Sequence, residues 1–132
     1  MSAIRNAVRI GKLPGRVGRI GRHPVTVVRS ARWAYATLPS VRRQLATGGT
    51  TALISEPPVT RGPAGGVTSV LRACRATCLE RSLILQAWYR AQGIDRDVVI
   101  GARAADGVKA HAWLDGEQGG PFVELTRVPA RS

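Results

Sequence analysis

Residues 77–93, TCLERSLILQAWYRAQG, carry apolar side chains around most of a helix. Leu79, Leu83 and Ala87 recur at every fourth position, and Ile84, Leu85 and Trp88 widen the stripe. Such a helix has no broad face to give to water, so it has to lie at the centre of its domain with other elements packed around it. Gly93 fits the position just past its C-terminus. At its head, Thr77 and Glu80 form a T-x-x-E capping box, which makes Cys78 the first helical residue. A competing reading runs VTSVLRACRATC through Cys78 as one helix, and the cap would then be lost.

The rest of the chain organises around that helix. PVTVVRSARWAYATL, from Pro24 to Leu38, has helical spacing with a proline in its first turn; Pro39 is expected to stop it, and Ser40 to cap a second short helix, VRRQLA, ended by Gly48 and Gly49. Residues 47–66 are dense in Gly, Pro and Thr and read as a linker. VTSVLRACRA is a further helix. Beyond Gly93 the period changes to two: strands are expected at 97–103, 108–115 and 121–125, with Ala105-Asp106-Gly107 and Gly116–Gly119 or Gly120 as hairpin turns. Helices followed by an antiparallel β-meander make an α+β fold. The expected organisation is a basic flexible tail over 1–22, a basic helical segment and linker over 23–66, and a compact core over 67–132.

Charge is unevenly placed. The 132 residues carry a net charge of +12, with eleven basic residues against one acid up to Gly66 and nine against seven after it. An arginine-rich half is either a solvated surface or an invitation to phosphate, anionic lipid or acidic protein. Helix-turn-helix, finger and aromatic-stacking patterns are all missing, which argues against nucleic acid as the partner. No stretch approaches the ~18 apolar residues of a membrane span, and the N-terminus lacks the apolar core of a secretory signal. The expectation is a cytoplasmic protein with reduced thiols. Cys74, Cys78, His23 and His111 offer no credible four-ligand spacing, so neither a metal nor another cofactor is expected.

A reduced cysteine at a helix head is well placed for chemistry. Unpaired N–H groups and the positive end of the helix dipole favour an anion there, and a thiolate is the attacking form of cysteine. The Cys78 N–H could also serve as an oxyanion donor. His111 lies mid-strand between two alanines that leave its ring room. With a four-residue loop at 116–119, a hairpin of the second and third strands sets Glu124 directly opposite His111, where a carboxylate could orient the imidazole. Asp115 is the competing acid, although its position before Gly116 also suits ordinary turn chemistry. Cys74, four residues before Cys78, reads as structural.

Three segments in this order, ATCLERSLILQAWYRAQGI, VVIGAR and AHAWLDG, resemble the transglutaminase-like cysteine peptidases of lasso-peptide biosynthesis, in the form whose peptidase half is a separate polypeptide. The resemblance covers about residues 70–126. It implies a papain- or transglutaminase-like core with a Cys-His-acid triad, whose members fall on Cys78, His111 and Glu124. The function implied is removal of the leader from a ribosomally made precursor peptide. The family's leader-binding module has no counterpart in the first 66 residues, so a separate recognition protein is expected to bring the precursor, and a separate ATP-dependent cyclase to close the ring.

Overall fold

The computed structural model describes residues 24–58, 62, 64–104 and 107–130. The expected tail over 1–22 and the turn residues Ala105 and Asp106 lie outside these. Three helices, α1 (Pro24–Leu45), α2 (Gly65–Ala73) and α3 (Cys78–Ala91), precede three strands, β1 (Val98–Ala104), β2 (Val108–Leu114) and β3 (Val123–Val128), all paired antiparallel. The α+β class is as the sequence indicates.

The central position of α3 follows from its composition. Residues Ser82 to Trp88 are all buried, and Trp88 and Ile84 are fully so. Gln86, a buried polar residue, spends its amide N–H groups on the Arg96 and Val128 carbonyls at 3.0 Å each, tying the helix to the start of β1 and the end of β3. Against α3 pack Val98, Ala112, Leu114 and Val128 of the sheet, and Trp33, Ala34, Leu38 and Val41 of α1. The core therefore crosses residue 66, where the sequence suggested a boundary. Ordered contacts also hold part of the expected linker: Gln44 bonds both backbone groups of Leu53, and the Trp33 indole donates to the Ser55 carbonyl.

Two local expectations need correction. Pro39 does not stop the first helix; α1 runs through it to Leu45. Proline removes one helical hydrogen bond, but Leu38 and Val41 on either side are buried, at 1% and 0% exposure, and anchor both turns to the core. The sheet is not a meander either. Its order is β2-β1-β3, with β1 in the middle. Eight residues separate Leu114 from Val123, enough to cross the two strand spacings, about 10 Å, over the face of β1.

That crossing is made against Trp113. An added Cβ at Gly119, in the crossing loop, would lie 2.5 Å from the indole, and one at Gly101 of β1 would lie 2.8 Å from it and 2.6 Å from the Val123 carbonyl oxygen. Both positions need glycine for close approach. Gly101→Ala should lower stability by about 1–3 kcal/mol, read as a fall in thermal midpoint. An unchanged midpoint would mean that β3 and the Trp113 ring do not close on β1 in this way. Leu38→Ala should cost about 2–5 kcal/mol; a negligible loss would detach α1 from the core.

Candidate active site

The joint between α2 and α3 determines where Cys78 sits. Helix α2 ends with the Ala76 N–H on the Leu71 carbonyl and the Arg75 N–H on the Arg72 carbonyl, a Schellman ending with Arg75 at φ 55°. The chain then restarts at Thr77, whose hydroxyl accepts from the Glu80 N–H at 3.2 Å while the Glu80 carboxylate accepts from the Thr77 N–H at 2.9 Å. Both halves of the capping box are formed, and the single-helix reading is excluded. Glu80 is buried and meets Arg42 of α1, whose Nε lies 3.2 Å from the carboxylate and whose outer nitrogen donates to the Cys74 carbonyl at 2.8 Å. One arginine thus holds the capping acid of α3 and the end of α2 together.

With the Glu80 and Arg81 N–H groups spoken for by Thr77, those of Cys78 and Leu79 have no hydrogen-bond partner among the described residues. Free N–H groups at a helix head are of the kind that can stabilise an oxyanion. The Cys78 thiol is half-buried and its Sγ accepts from the Ala112 N–H of β2 at 3.3 Å. Peptide geometry then keeps Sγ within about 6 Å of the His111 Cα. One turn further along α3, Arg81 pairs with Glu117 at 3.0 Å, and Glu117 accepts the Leu114 N–H at 3.0 Å. The first turn of α3 is thereby docked at two points along the outer edge of β2.

His111 is half-buried on the sheet face away from α3. Its ring stacks on Trp113, with centroids 5.7 Å apart, and meets Phe122 of the crossing loop at 4.9 Å, while the Arg103 guanidinium lies over the Phe122 ring at 5.4 Å. Phe122, Gly101 and the Ala112 N–H belong to this site and were not apparent from sequence. The strand order that places Phe122 over His111 was not readable, and a backbone N–H leaves no residue-type signal.

The expected His111–Glu124 pairing across a hairpin does not form, because β3 pairs with β1. Both residues lie opposite Gly101, one on each side, so their Cα atoms are two strand spacings apart, about 10 Å. Glu124 is exposed and its carboxylate is held by Arg127, which also binds Asp115 at 2.9 Å and Asp97 at 3.6 Å. Hydrogen bonding to Arg127 lowers the Glu124 pKa, and in return Glu124 and then Asp115 raise that of the guanidinium. The two candidate acids therefore share one cation. A depression of about 320 Å³ lined by Ala52, Ile54, Leu83, Gln86, Arg90 and Val128 contains none of the candidate residues. The thiol lies at a strand edge instead.

The profile of the Transglutaminase-like superfamily matches residues 25–127, from the first turn of α1 to the end of β3. The chain belongs to this superfamily. None of the curated proteins and none of the solved structures matches it. Transglutaminase-like proteins typically work through a catalytic cysteine, and in this member the cysteine at a capped helix head is Cys78. Among the described residues no helix is long and apolar enough to cross a membrane.

Glu117 offers a pH test of the docking. Burial raises its pKa, but the Arg81 hydrogen bond, the Leu114 N–H and the attraction of Arg81 and Arg96 outweigh this and leave it lowered. A carboxylate with a depressed pKa stabilises the fold fully above its unfolded value, and that contribution fades as pH falls through the folded one. Glu117→Gln should therefore flatten the loss of thermal midpoint between about pH 5 and 3. A variant with the wild-type slope would show that Glu117 is not held as an anion at this edge.

Proposed function

We propose that this chain is a cysteine peptidase that removes the leader from a ribosomally synthesised lasso-peptide precursor. The observation that carries the reading is the contact between the Cys78 thiol, at the head of a capped helix, and the N–H of the residue following His111. The superfamily supports cysteine chemistry, and the segments around Cys78 and His111 are those that resemble the lasso leader peptidases.

In this reading His111 takes the Cys78 proton and the thiolate attacks the last leader carbonyl, with the Cys78 and Leu79 N–H groups facing the developing oxyanion. Protonated His111 gives its proton to the departing core amine, and water then hydrolyses the thioester. Engaging the thiol requires the imidazole to swing from its place between Trp113 and Phe122 toward the strand edge. Glu124 is the acid the resemblance implies, and in this arrangement its carboxylate is on Arg127, so it would have to leave that cation to orient the imidazole. Glu124 shares the row of His111 across a glycine, whereas Asp115 lies four residues along β2, about 13 Å away, with Trp113 between. A separate leader-binding protein would deliver the precursor, and an ATP-dependent cyclase would use the freed amine. Acyl transfer to an amine is the second reading, favoured by the superfamily itself, since it proceeds through the same thioester.

The test is cleavage of a precursor peptide with the recognition protein present, followed by mass spectrometry. Cys78→Ala should abolish cleavage with the fold retained, and His111→Ala should lower the rate by about 10²–10⁴-fold. Cleavage by Cys78→Ala would overturn the assignment. A larger loss for Asp115→Asn than for Glu124→Gln would reverse the choice of acid. Product masses showing added amine in place of water would favour transfer.

A further inference from the structure

Alternate backbone groups of β2 point away from the sheet. The Asp115 N–H donates to the Asp97 carbonyl at 2.8 Å, so in an antiparallel ladder residues 113, 111 and 109 likewise bond inward to β1. Residues 114, 112, 110 and 108 face outward, and β2 is the outermost strand on that side. Two of these four N–H groups are occupied as this alternation requires: Leu114 by the Glu117 carboxylate at 3.0 Å and Ala112 by the Cys78 thiol at 3.3 Å. The other two belong to Ala110 and Val108, both exposed, with Val108 at 82%. No described residue outside the sheet bonds to either.

An unpaired strand edge is a template for another extended chain, and this one runs directly into the nucleophile. We infer that the substrate peptide adds to Val108–Ala110 as a fourth strand and presents its carbonyl where the edge reaches Cys78. The occupant is a peptide main chain because the edge offers donors and acceptors at strand spacing. From Val108 to Ala112 it spans about 13 Å, room for three residues on one side of the reacting carbonyl. The Cys78 thiol and Glu117 close the edge beyond that point and fix where the strand ends. This inference rests on Cys78 being the nucleophile proposed above, and it adds how the peptide is held. The outer edge of β3 is equally unpaired in the sheet but has no candidate nucleophile beside it.

The test uses two chloromethyl ketones, N-acetyl-alanine and N-acetyl-trialanine, with iodoacetamide as a reagent that lacks a peptide strand. The thiolate sulfur bonds to the methylene carbon as chloride leaves, and the thiol proton passes to a base. Rates at Cys78 are followed by peptide mapping, with Cys74 as the internal reference. The trialanine reagent should react about tenfold faster than the single-residue one, as two added hydrogen bonds would give. Ala110→Pro, which removes the outward N–H at an edge position where proline is tolerated, should erase that advantage, read as the ratio of the two ketone rates within the same variant. Ala110→Val, which keeps the N–H, should retain it. Methylating the central amide of the trialanine reagent makes the same test on the unaltered protein. Equal rates for the two ketones, or an advantage that survives both the proline and the methylated reagent, would overturn the edge alone. A Cys78 no more reactive than Cys74 toward every reagent would overturn the nucleophile assignment and the docking with it.

Discussion

The Glu80 carboxylate is the interaction on which the site depends. It is nearly buried, yet it serves two donors at once, the Thr77 N–H and the Arg42 side chain. Removing a partner from such a group leaves charge without compensation in a poorly solvated place. Arg42 extends the same tie to the Cys74 and Arg75 carbonyls, where Arg75 holds a left-handed backbone that costs a non-glycine residue about 1–2 kcal/mol. A helix from the N-terminal half, the end of a second helix and the head of the third are fixed together by two side chains. Cys78 is the first residue past that joint, so its direction is set by α1 as much as by α3.

The outer edge of β2 is organised around the same helix head. Cys78 and Arg81, three apart on α3, reach Ala112 directly and Leu114 through Glu117. On the opposite face the crossing loop lays Phe122 over His111 and closes on Trp113 through glycines. Thiol and imidazole thus approach one peptide unit of β2 from different sides of the sheet. Among the described residues the segment from Val108 to Ala110 is left uncovered, because the docked region ends at Cys78.

Sequence patterns made the centre of this arrangement legible. The apolar stripe from Leu79 to Trp88 and Gly93 mark α3 as it forms, and the Thr77–Glu80 box is formed where a single longer helix was the competing reading. Where a chain departs from a marker residue, the pattern is mute. Helix α2 ends at Arg75 in a conformation usually given to glycine, so RACRATC holds no visible break. Pro39 is a strong local stop, outweighed by the burial of Leu38 and Val41. The charge of the first 66 residues described a surface, and Arg42 instead serves a buried acid thirty-eight residues away. Strand order escaped because a loop of eight residues permits either a hairpin or a crossing. The crossing brings Trp113 against Gly101 and Gly119, a tertiary contact that no local pattern records. With the order went the acid: the register that set Glu124 against His111 presumed neighbouring strands.

The central claim is that the Glu80–Arg42 joint presents Cys78 as the reactive thiol of this chain. The most direct measurement is the rate of iodoacetamide modification of Cys78 relative to Cys74 within one protein, compared between the wild type and Glu80→Gln. The proposed function predicts that Cys78 reacts faster in the wild type and loses most of that advantage in the variant, while Cys74 changes little. Equal rates at the two cysteines, or a Cys78 advantage untouched by Glu80→Gln, would contradict it.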